Sequence, residues 1–348
     1  MDLQLAKEIL NGLDHFQASL ELPTLELMVE AFNTARANLG YEITFYLPGT
    51  VKIDKVRGRY PAISITGDRC SLLCEHCKAK LLLPMWKADT PAELKDTLIA
   101  VYEKGVLGAL LTGGSDKEGR LPWEGFLSAI EDVSSQTELY LTAHTGFLNK
   151  SQAYGLRQAG IRQGLLDLMG SDEVAQGVYH LRSLLPVLNA LKGICEAGLE
   201  LVPHILAGLE YGRLKSEYQA LSILKDYNPK SLVFVTLTPF KGTGMEGVNP
   251  PDPLEVAKLI ATARLMFPGL PISLGCERKR GRYAEMLEYL ALLSGIDRMA
   301  IWSEGAISLA QGLGLRPRFQ LTCCSLDPKE ELCTSLTQSF DHPAHHLG

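Results

Sequence analysis

Residues 62–77 read AISITGDRCSLLCEHC: a short apolar run, Ala62 to Thr66, and then three cysteines, Cys70, Cys74 and Cys77, spaced C-x3-C-x2-C. A run of that length, stopped by a glycine, reads as a buried strand. Seven more such runs follow, at Gly108 to Thr112, Leu139 to Ala143, Leu165 to Met169, Leu201 to Ala207, Leu232 to Leu237, Pro271 to Gly275 and Met299 to Trp302. Helix-length amphipathic segments come after the eight runs, at 91–104, 123–134, 150–159, 180–197, 215–226, 253–267, 283–294 and 304–312. Thr90 with Pro91, and Asp252 with Pro253, place a cap residue and a proline where a first helical turn accepts them. Eight β/α units predict an α/β fold, a (β/α)8 TIM-type barrel.

Outside the alternation, residues 3–38 have helical spacing broken at Pro23, and the three late cysteines Cys323, Cys324 and Cys333 follow the last unit. The expected division is an N-terminal helical cap at 1–50, the barrel at 51–312, and a C-terminal cysteine-containing extension at 313–348 that ends in a mobile tail.

The chain of 348 residues is 46% hydrophobic and 21% charged, which suits a large buried core. Its net charge of −6 offers no basic field for nucleic acid or anionic lipid. Apolar runs such as 81–83 stop far short of the roughly 20 residues that span a bilayer, and the first ten residues lack a signal-peptide pattern, so no membrane partner and a cytoplasmic location are expected. In that compartment eight cysteines are expected as thiols or as metal or cluster ligands rather than disulfides. Cys195, inside an amphipathic segment with Leu188, Leu191 and Leu199, is expected in the core.

Strand ends are where barrels carry their chemistry, so the loop at 70–77 is the first candidate site. Three thiolates on one tight loop can ligate three irons of a [4Fe-4S] cubane and leave the fourth open to chelate a ligand. The alternative is a structural zinc site, for which Cys70, Cys74, His76 and Cys77 supply four ligands, although such sites usually draw on two separated pairs.

The spacing resembles that of the radical S-adenosylmethionine superfamily, whose members join this motif to a full or partial β/α barrel. The resemblance implies that the open iron binds S-adenosylmethionine, and that one electron from a low-potential donor of ferredoxin or flavodoxin type generates a 5′-deoxyadenosyl radical. It places Gly113, Gly114 and Ser115, at the end of the second run, against the methionine amino group, where only glycine lets backbone approach closely. Asp167 at the fourth strand end is a candidate for the ribose hydroxyls, with Ser171 assisting.

Residues 178–198, 238–245 and 263–268 are similar to biotin synthase, and that similarity carries a carboxylate-binding arginine onto Arg182. His144 and His204, at the third and fifth strand ends, are candidates for substrate or second-shell contact, with a hydrogen-bonded structural role as the alternative. Biotin synthase also places cysteines on its strands for a sulfur-donating cluster, but Leu111, Thr142 and Val202 stand in those regions here. What remains is Cys276 at the seventh strand end with Cys323, Cys324 and Cys333, candidate ligands of an auxiliary iron–sulfur cluster gathered at the barrel mouth.

This layout resembles the archaeal-type biotin-synthase homologues associated with two-component lipoyl synthase. It implies sulfur insertion into a protein-bound octanoyl chain, a second radical subunit, and an octanoylated carrier protein. The basic run 278–282 is a candidate dock for an acidic carrier. Two other readings stay open: a radical enzyme that rearranges or methylates a small amino-acid substrate, and a noncatalytic iron–sulfur partner subunit.

Overall fold

The structure, a computed structural model, describes residues 1–12, 21–49, 51–53 and 56–328. Two helices open the chain, α1 (Leu3–Gly12) and α2 (Leu22–Leu39), followed by strand β1 (Glu42–Tyr46) and a small antiparallel ribbon of β2 (Lys52–Ile53) and β3 (Val56–Arg57). The main alternation then runs through β4 (Ala62–Ser64), β5 (Trp86–Lys87), α3 (Pro91–Glu103), β6 (Gly108–Thr112), α4 (Leu127–Gln136), β7 (Tyr140–His144), α5 (Lys150–Gln158) and β8 (Gln163–Asp167). It continues with α6 (Asp172–Gly177), α7 (Leu185–Glu196), β9 (Glu200–Ala207), α8 (Ser216–Leu224), β10 (Leu232–Thr236), α9 (Pro253–Met266), β11 (Ile272–Leu274), α10 (Arg282–Leu293), β12 (Arg298–Ala300), α11 (Glu304–Gly312) and β13 (Arg316–Gln320).

Each of the eight expected runs falls on a strand, and local chemistry starts the helices as their sequences indicate. Thr90 and Glu93 form a reciprocal capping box on α3, Asn149 and Gln152 do the same on α5, and the Asp252 side chain caps α9.

The expectation of a closed eight-stranded barrel is overturned. Eleven strands form one open sheet in the order β13-β1-β12-β11-β10-β9-β8-β7-β6-β4-β5, with every pairing parallel, curled into an incomplete barrel. Three strands lie outside the eight runs: β1, β13 and β5. The edges explain why the sheet does not close. β5 is two exposed residues, and β13 carries Pro317, which has no N–H to give a further partner. Across the gap, single backbone bonds such as Arg59 N–H to the Leu321 carbonyl (2.6 Å) stand in place of a ladder among the described residues.

The open end at the strands' N-termini is covered by residues 321–328. Gln163, first residue of β8, donates to the Ser325 carbonyl (3.3 Å), and Arg298, first residue of β12, donates to the Leu326 carbonyl (3.2 Å). Tyr46 reaches the same Leu326 carbonyl (2.7 Å), Ser273 reaches the Cys324 carbonyl (3.0 Å), and Asp327 pairs with Arg298 (2.6 Å) and Lys230 (2.7 Å). The segment after the last β/α unit is therefore a plug across the base of the curled sheet. No helix among the described residues is long and apolar enough to cross a membrane.

Candidate functional site

Beyond β4 the chain turns through Gly67 and reaches the three cysteines at the strands' C-terminal end. Thr66 organises the turn: its hydroxyl donates to the Arg69 carbonyl (3.0 Å) and accepts from the Gly114 N–H (2.6 Å), tying the cysteine loop to the Gly113–Gly114 turn after β6. The Ser71 N–H also donates to the Ser115 carbonyl (2.7 Å), and the Ser115 hydroxyl lies 3.9 Å from Cys70 Sγ. A Cβ on Gly114 would strike the Arg69 carbonyl and lie 2.5 Å from Cys70 Cβ, so the turn requires glycine for close approach. Sequence reasoning placed Gly113, Gly114 and Ser115 beside the loop; it missed Thr66, whose position inside a strand run gave no signal.

Cys74, His76 and Cys77 have donor atoms all within 4.8 Å of one another, a group that can hold a metal ion. The His76 Nδ1 is buried without a hydrogen-bond partner. Cys70 stands outside this tight trio, next to Ser115. A hydrogen bond from Cys74 and the neighbouring His76 hold the Cys77 thiol down at about 4 despite its burial, while the same contact and burial push Cys74 far up. That lowering favours a thiolate on the loop, the form a metal takes.

Under the loop, the candidate residues converge. His144, at the end of β7, places Nε2 3.3 Å from Asp167 Oδ1 at the end of β8, and Tyr179 donates to Asp167 Oδ2 (3.3 Å). The His204 ring stands edge-on to His144 at 5.3 Å, and the His76 ring lies 5.2 Å from Tyr179. Burial alone would raise the Asp167 carboxyl, but His144 and its neighbours hold it at about 2; in turn Asp167 outweighs burial and raises His144. Burial and the facing His144 push His204 down to about 4. The site therefore keeps Asp167 ionised and His204 neutral at pH 7. Tyr179, invisible in the sequence pattern, links the loop to this carboxylate.

Ser171 and Arg182 are placed differently. The Ser171 hydroxyl caps α6 by accepting from the Val174 N–H (3.3 Å), and Arg182 is exposed on the segment between α6 and α7. That segment touches the cysteine loop through the Val178 carbonyl, which accepts from the Glu75 N–H (2.9 Å), and through His180, which contacts the Leu72 carbonyl (2.9 Å) and Glu75 (3.0 Å).

Cys276, Cys323 and Cys324 form a second gathering of thiols. Cys276 follows β11, and Cys323 and Cys324 enter with the plug from the base of the sheet rather than over its mouth. A hydrogen bond from Cys324, with help from Ser325 and His144, outweighs burial and lowers Cys323 to about 6. Cys276 keeps an exposed surface, yet the protein packed around it and the Cys323 charge raise it to about 11. These thiols feel one another's charge, but they are less tightly grouped than Cys74, His76 and Cys77. Cys333 lies outside the described residues. Cys195 is exposed on α7 rather than in the core, because it falls on the solvent side of that helix. In the basic run, Arg278 is buried against Glu288 (2.7 Å), while Arg280 is exposed and donates to the Cys276 carbonyl (2.7 Å).

No family model matches the chain. It is 25% identical over 299 residues to biotin synthase of Alkalilimnicola ehrlichii, covering 82% of each chain, and 26% identical over 303 residues to biotin synthase of Prochlorococcus marinus, covering 82% of this chain and 83% of that one. Among solved structures, methylornithine synthase superposes with a TM-score of 0.61 at 17% identity, over 90% of this chain and 97% of that one, a likeness of fold. The chain is thus similar in sequence to biotin synthases over about four fifths of its length, and its open curled sheet has the fold of methylornithine synthase.

Proposed function

We propose that the protein is a radical S-adenosylmethionine enzyme in which Cys70, Cys74 and Cys77 hold a [4Fe-4S] cluster, and in which the carbon radical formed on the substrate takes sulfur from a second cluster held by Cys276, Cys323 and Cys324, with Cys333. The observation that carries this reading is that both thiol groups neighbour one polar pair: Cys74 feels the charge of Asp167 and Cys323 that of His144, and the two side chains stand 3.3 Å apart. A carbon radical is short-lived, so its sulfur source must stand beside it; a plug that brings thiols into the curled sheet supplies that position. The resemblance to biotin synthase implies strand cysteines for a sulfur-donating cluster, but Leu111, Thr142 and Val202 stand in those regions, so the plug would take over their task.

The donor set suits the group. Three thiols on one loop, one of them lowered towards the thiolate, match the chemistry of an iron–sulfur cluster, and Gly113 and Gly114 leave backbone room beside it. When bound, the cluster and S-adenosylmethionine supply the radical. The chain's own residues would bind and orient: Gly113, Gly114 and Ser115 the methionine end, Arg182 its carboxylate, Asp167 the ribose. Asp167 is shared with His144 and Tyr179, so ribose binding would use its remaining lone pairs.

An octanoyl chain on a carrier protein is one substrate for such sulfur insertion, and a partner radical subunit belongs to that reading. A second reading, rearrangement or methyl transfer on a small amino-acid substrate, is favoured by the polar lining of the curled sheet, where Asp167, His144, His204 and the unpartnered Gln163 Oε1 suit a charged molecule better than an alkyl chain. Iron and sulfide counts on anaerobically reconstituted protein separate the two. Sulfur insertion requires that a Cys323→Ala, Cys324→Ala variant lose iron while retaining the first cluster, and that wild type give thiolated product from an octanoylated carrier. An unchanged iron count and a sulfur-free product would favour the rearranging enzyme.

A further inference from the structure

Three consecutive residues between α6 and α7 hold the cysteine loop. The Val178 carbonyl accepts from the Glu75 N–H (2.9 Å), and the Tyr179 ring lies 5.2 Å from the His76 ring. His180 spans two residues of the loop: its Nδ1 donates to the Leu72 carbonyl (2.9 Å), and its Nε2 stands 3.0 Å from Glu75 Oε1. It does so at φ = 57°, a left-handed conformation that a residue with a Cβ keeps only where its surroundings enforce it. The His180 side chain is 41% exposed, and a pair as open to water as this one adds little to global stability. Its consequence is therefore local, in where it holds the segment it belongs to.

The Glu75 carboxylate is also met from a third side. A Cβ on Gly244 would overlap Glu75 Oε2, so the loop between β10 and α9 lies directly against it. Glu75 is thus the point where the cysteine loop, the α6–α7 segment and the β10–α9 loop come together. Arg182 follows His180 by two residues. Its carbonyl accepts from the Gln176 side chain (3.0 Å), the Leu181 N–H donates to the Ala175 carbonyl (2.9 Å), and the Leu184 N–H donates to Asp172 (2.6 Å). These contacts tie the segment back to α6, whereas the contacts at 178–180 tie it to the cysteine loop. Arg182 itself is exposed, and its distance from that loop is set by the two anchorages together.

We infer that His180 is a positioning residue: by clamping its segment to Leu72 and Glu75, it fixes Arg182 relative to the cysteine loop, so that the guanidinium meets the carboxylate of S-adenosylmethionine held beside that loop. The inference rests on the reading above, in which the loop carries the cluster and Arg182 takes the methionine carboxylate. A guanidinium binds a carboxylate through a planar two-pronged contact, and such a contact is lost on a displacement of about an ångström. Arginine is long and its segment is exposed, so the geometry must come from the backbone. His180 supplies it from the loop side, and Glu75, pressed by the Gly244 backbone, keeps the ring's partner in place.

The test is a double-substitution cycle read as S-adenosylmethionine affinity, by equilibrium dialysis on anaerobically reconstituted protein. His180→Ala should keep the iron content of wild type and weaken binding about tenfold. Combined with Arg182→Ala it should bind no more weakly than Arg182→Ala alone, because the histidine acts only through the arginine. His180→Asn should recover most of the loss, since its amide still donates to the Leu72 carbonyl and asparagine accepts a left-handed backbone. Gly244→Ala, whose methyl displaces the Glu75 carboxylate while leaving the ring intact, should weaken binding in the same direction. In 5′-deoxyadenosine release, His180→Ala should raise KM for S-adenosylmethionine by a larger factor than it lowers kcat. Wild-type affinity in His180→Ala, or a loss that adds in full to that of Arg182→Ala, overturns the proposal. A wild type that binds no S-adenosylmethionine, or Arg182→Ala at wild-type affinity, instead removes the reading beneath it, and the proposal falls with that reading.

Discussion

Replacing Arg298 with leucine should unseat the plug. The Arg298 side chain is 5% exposed; it donates to the Leu326 carbonyl at 3.2 Å, pairs with Asp327 at 2.6 Å, and approaches Asp297 at 3.6 Å. Each partner keeps another contact: Leu326 has Tyr46 (2.7 Å), Asp327 has Lys230 (2.7 Å), and Asp297 has Arg264 (2.7 Å). No buried group is stranded, so the cost should stay below that of breaking an isolated buried pair. Two charge-assisted contacts at roughly 1.5–3 kcal/mol each, discounted because the Asp327 carboxylate is half exposed, leave about 2–3 kcal/mol. That weakens seating of residues 321–328 by about 30- to 150-fold. The Leu326 amide, which donates to the Cys323 carbonyl (3.2 Å), is the reporter: its hydrogen-exchange protection should fall by that factor, and Cys323 should alkylate faster in the metal-free protein. Unchanged Leu326 protection would refute the claim that Arg298 anchors the plug.

Gly114→Ala should destabilise the protein by about 1–3 kcal/mol and reduce iron retained after reconstitution, since the added methyl meets the Arg69 carbonyl and Cys70; a wild-type melting curve with full iron would remove the close-approach argument. Arg182→Ala should keep its iron but bind S-adenosylmethionine about ten- to a hundredfold more weakly, measured by equilibrium dialysis, and unchanged affinity would take Arg182 out of the site. Burial raises the Asp327 carboxyl, but Lys230 and Arg298 outweigh it and lower its pKa from 3.8, so its contribution to plug seating is fully present above that value and is lost as pH falls through the lowered folded pKa. Leu326 protection should therefore fall with acid in wild type and show less of this dependence in Asp327→Asn; equal acid sensitivity in both would rule out that carboxylate as the cause.

The sequence made the β/α alternation legible because each run is short, apolar and followed by amphipathic spacing with caps such as Thr90 and Asp252. It concealed the sheet's edges. Residues 42–46 form a strand, yet they follow closely on the helical pattern of 3–38 and fall within the stretch read as an N-terminal cap; β13, with two arginines and a proline, reads as polar extension. Closure could not be judged, since it depends on what pairs with a two-residue strand at 86–87 and with a proline-bearing edge. Cys70, Cys74 and Cys77 were evident because a fixed spacing on one loop needs no tertiary information. Tyr179 and the course of residues 321–328 were not, because Asp167, Gln163, Lys230 and Arg298 reach them from separate strands and loops.

Release of 5′-deoxyadenosine from S-adenosylmethionine, followed anaerobically with dithionite on reconstituted wild type and on the Cys70→Ala, Cys74→Ala, Cys77→Ala variant, addresses the radical reading at its source. Wild type should release it and the variant should not, with iron at the loop lost in parallel. Release at the wild-type rate from the variant, or a wild-type protein that takes up zinc in preference to iron and releases none, would contradict the assignment of a radical-generating cluster to this loop.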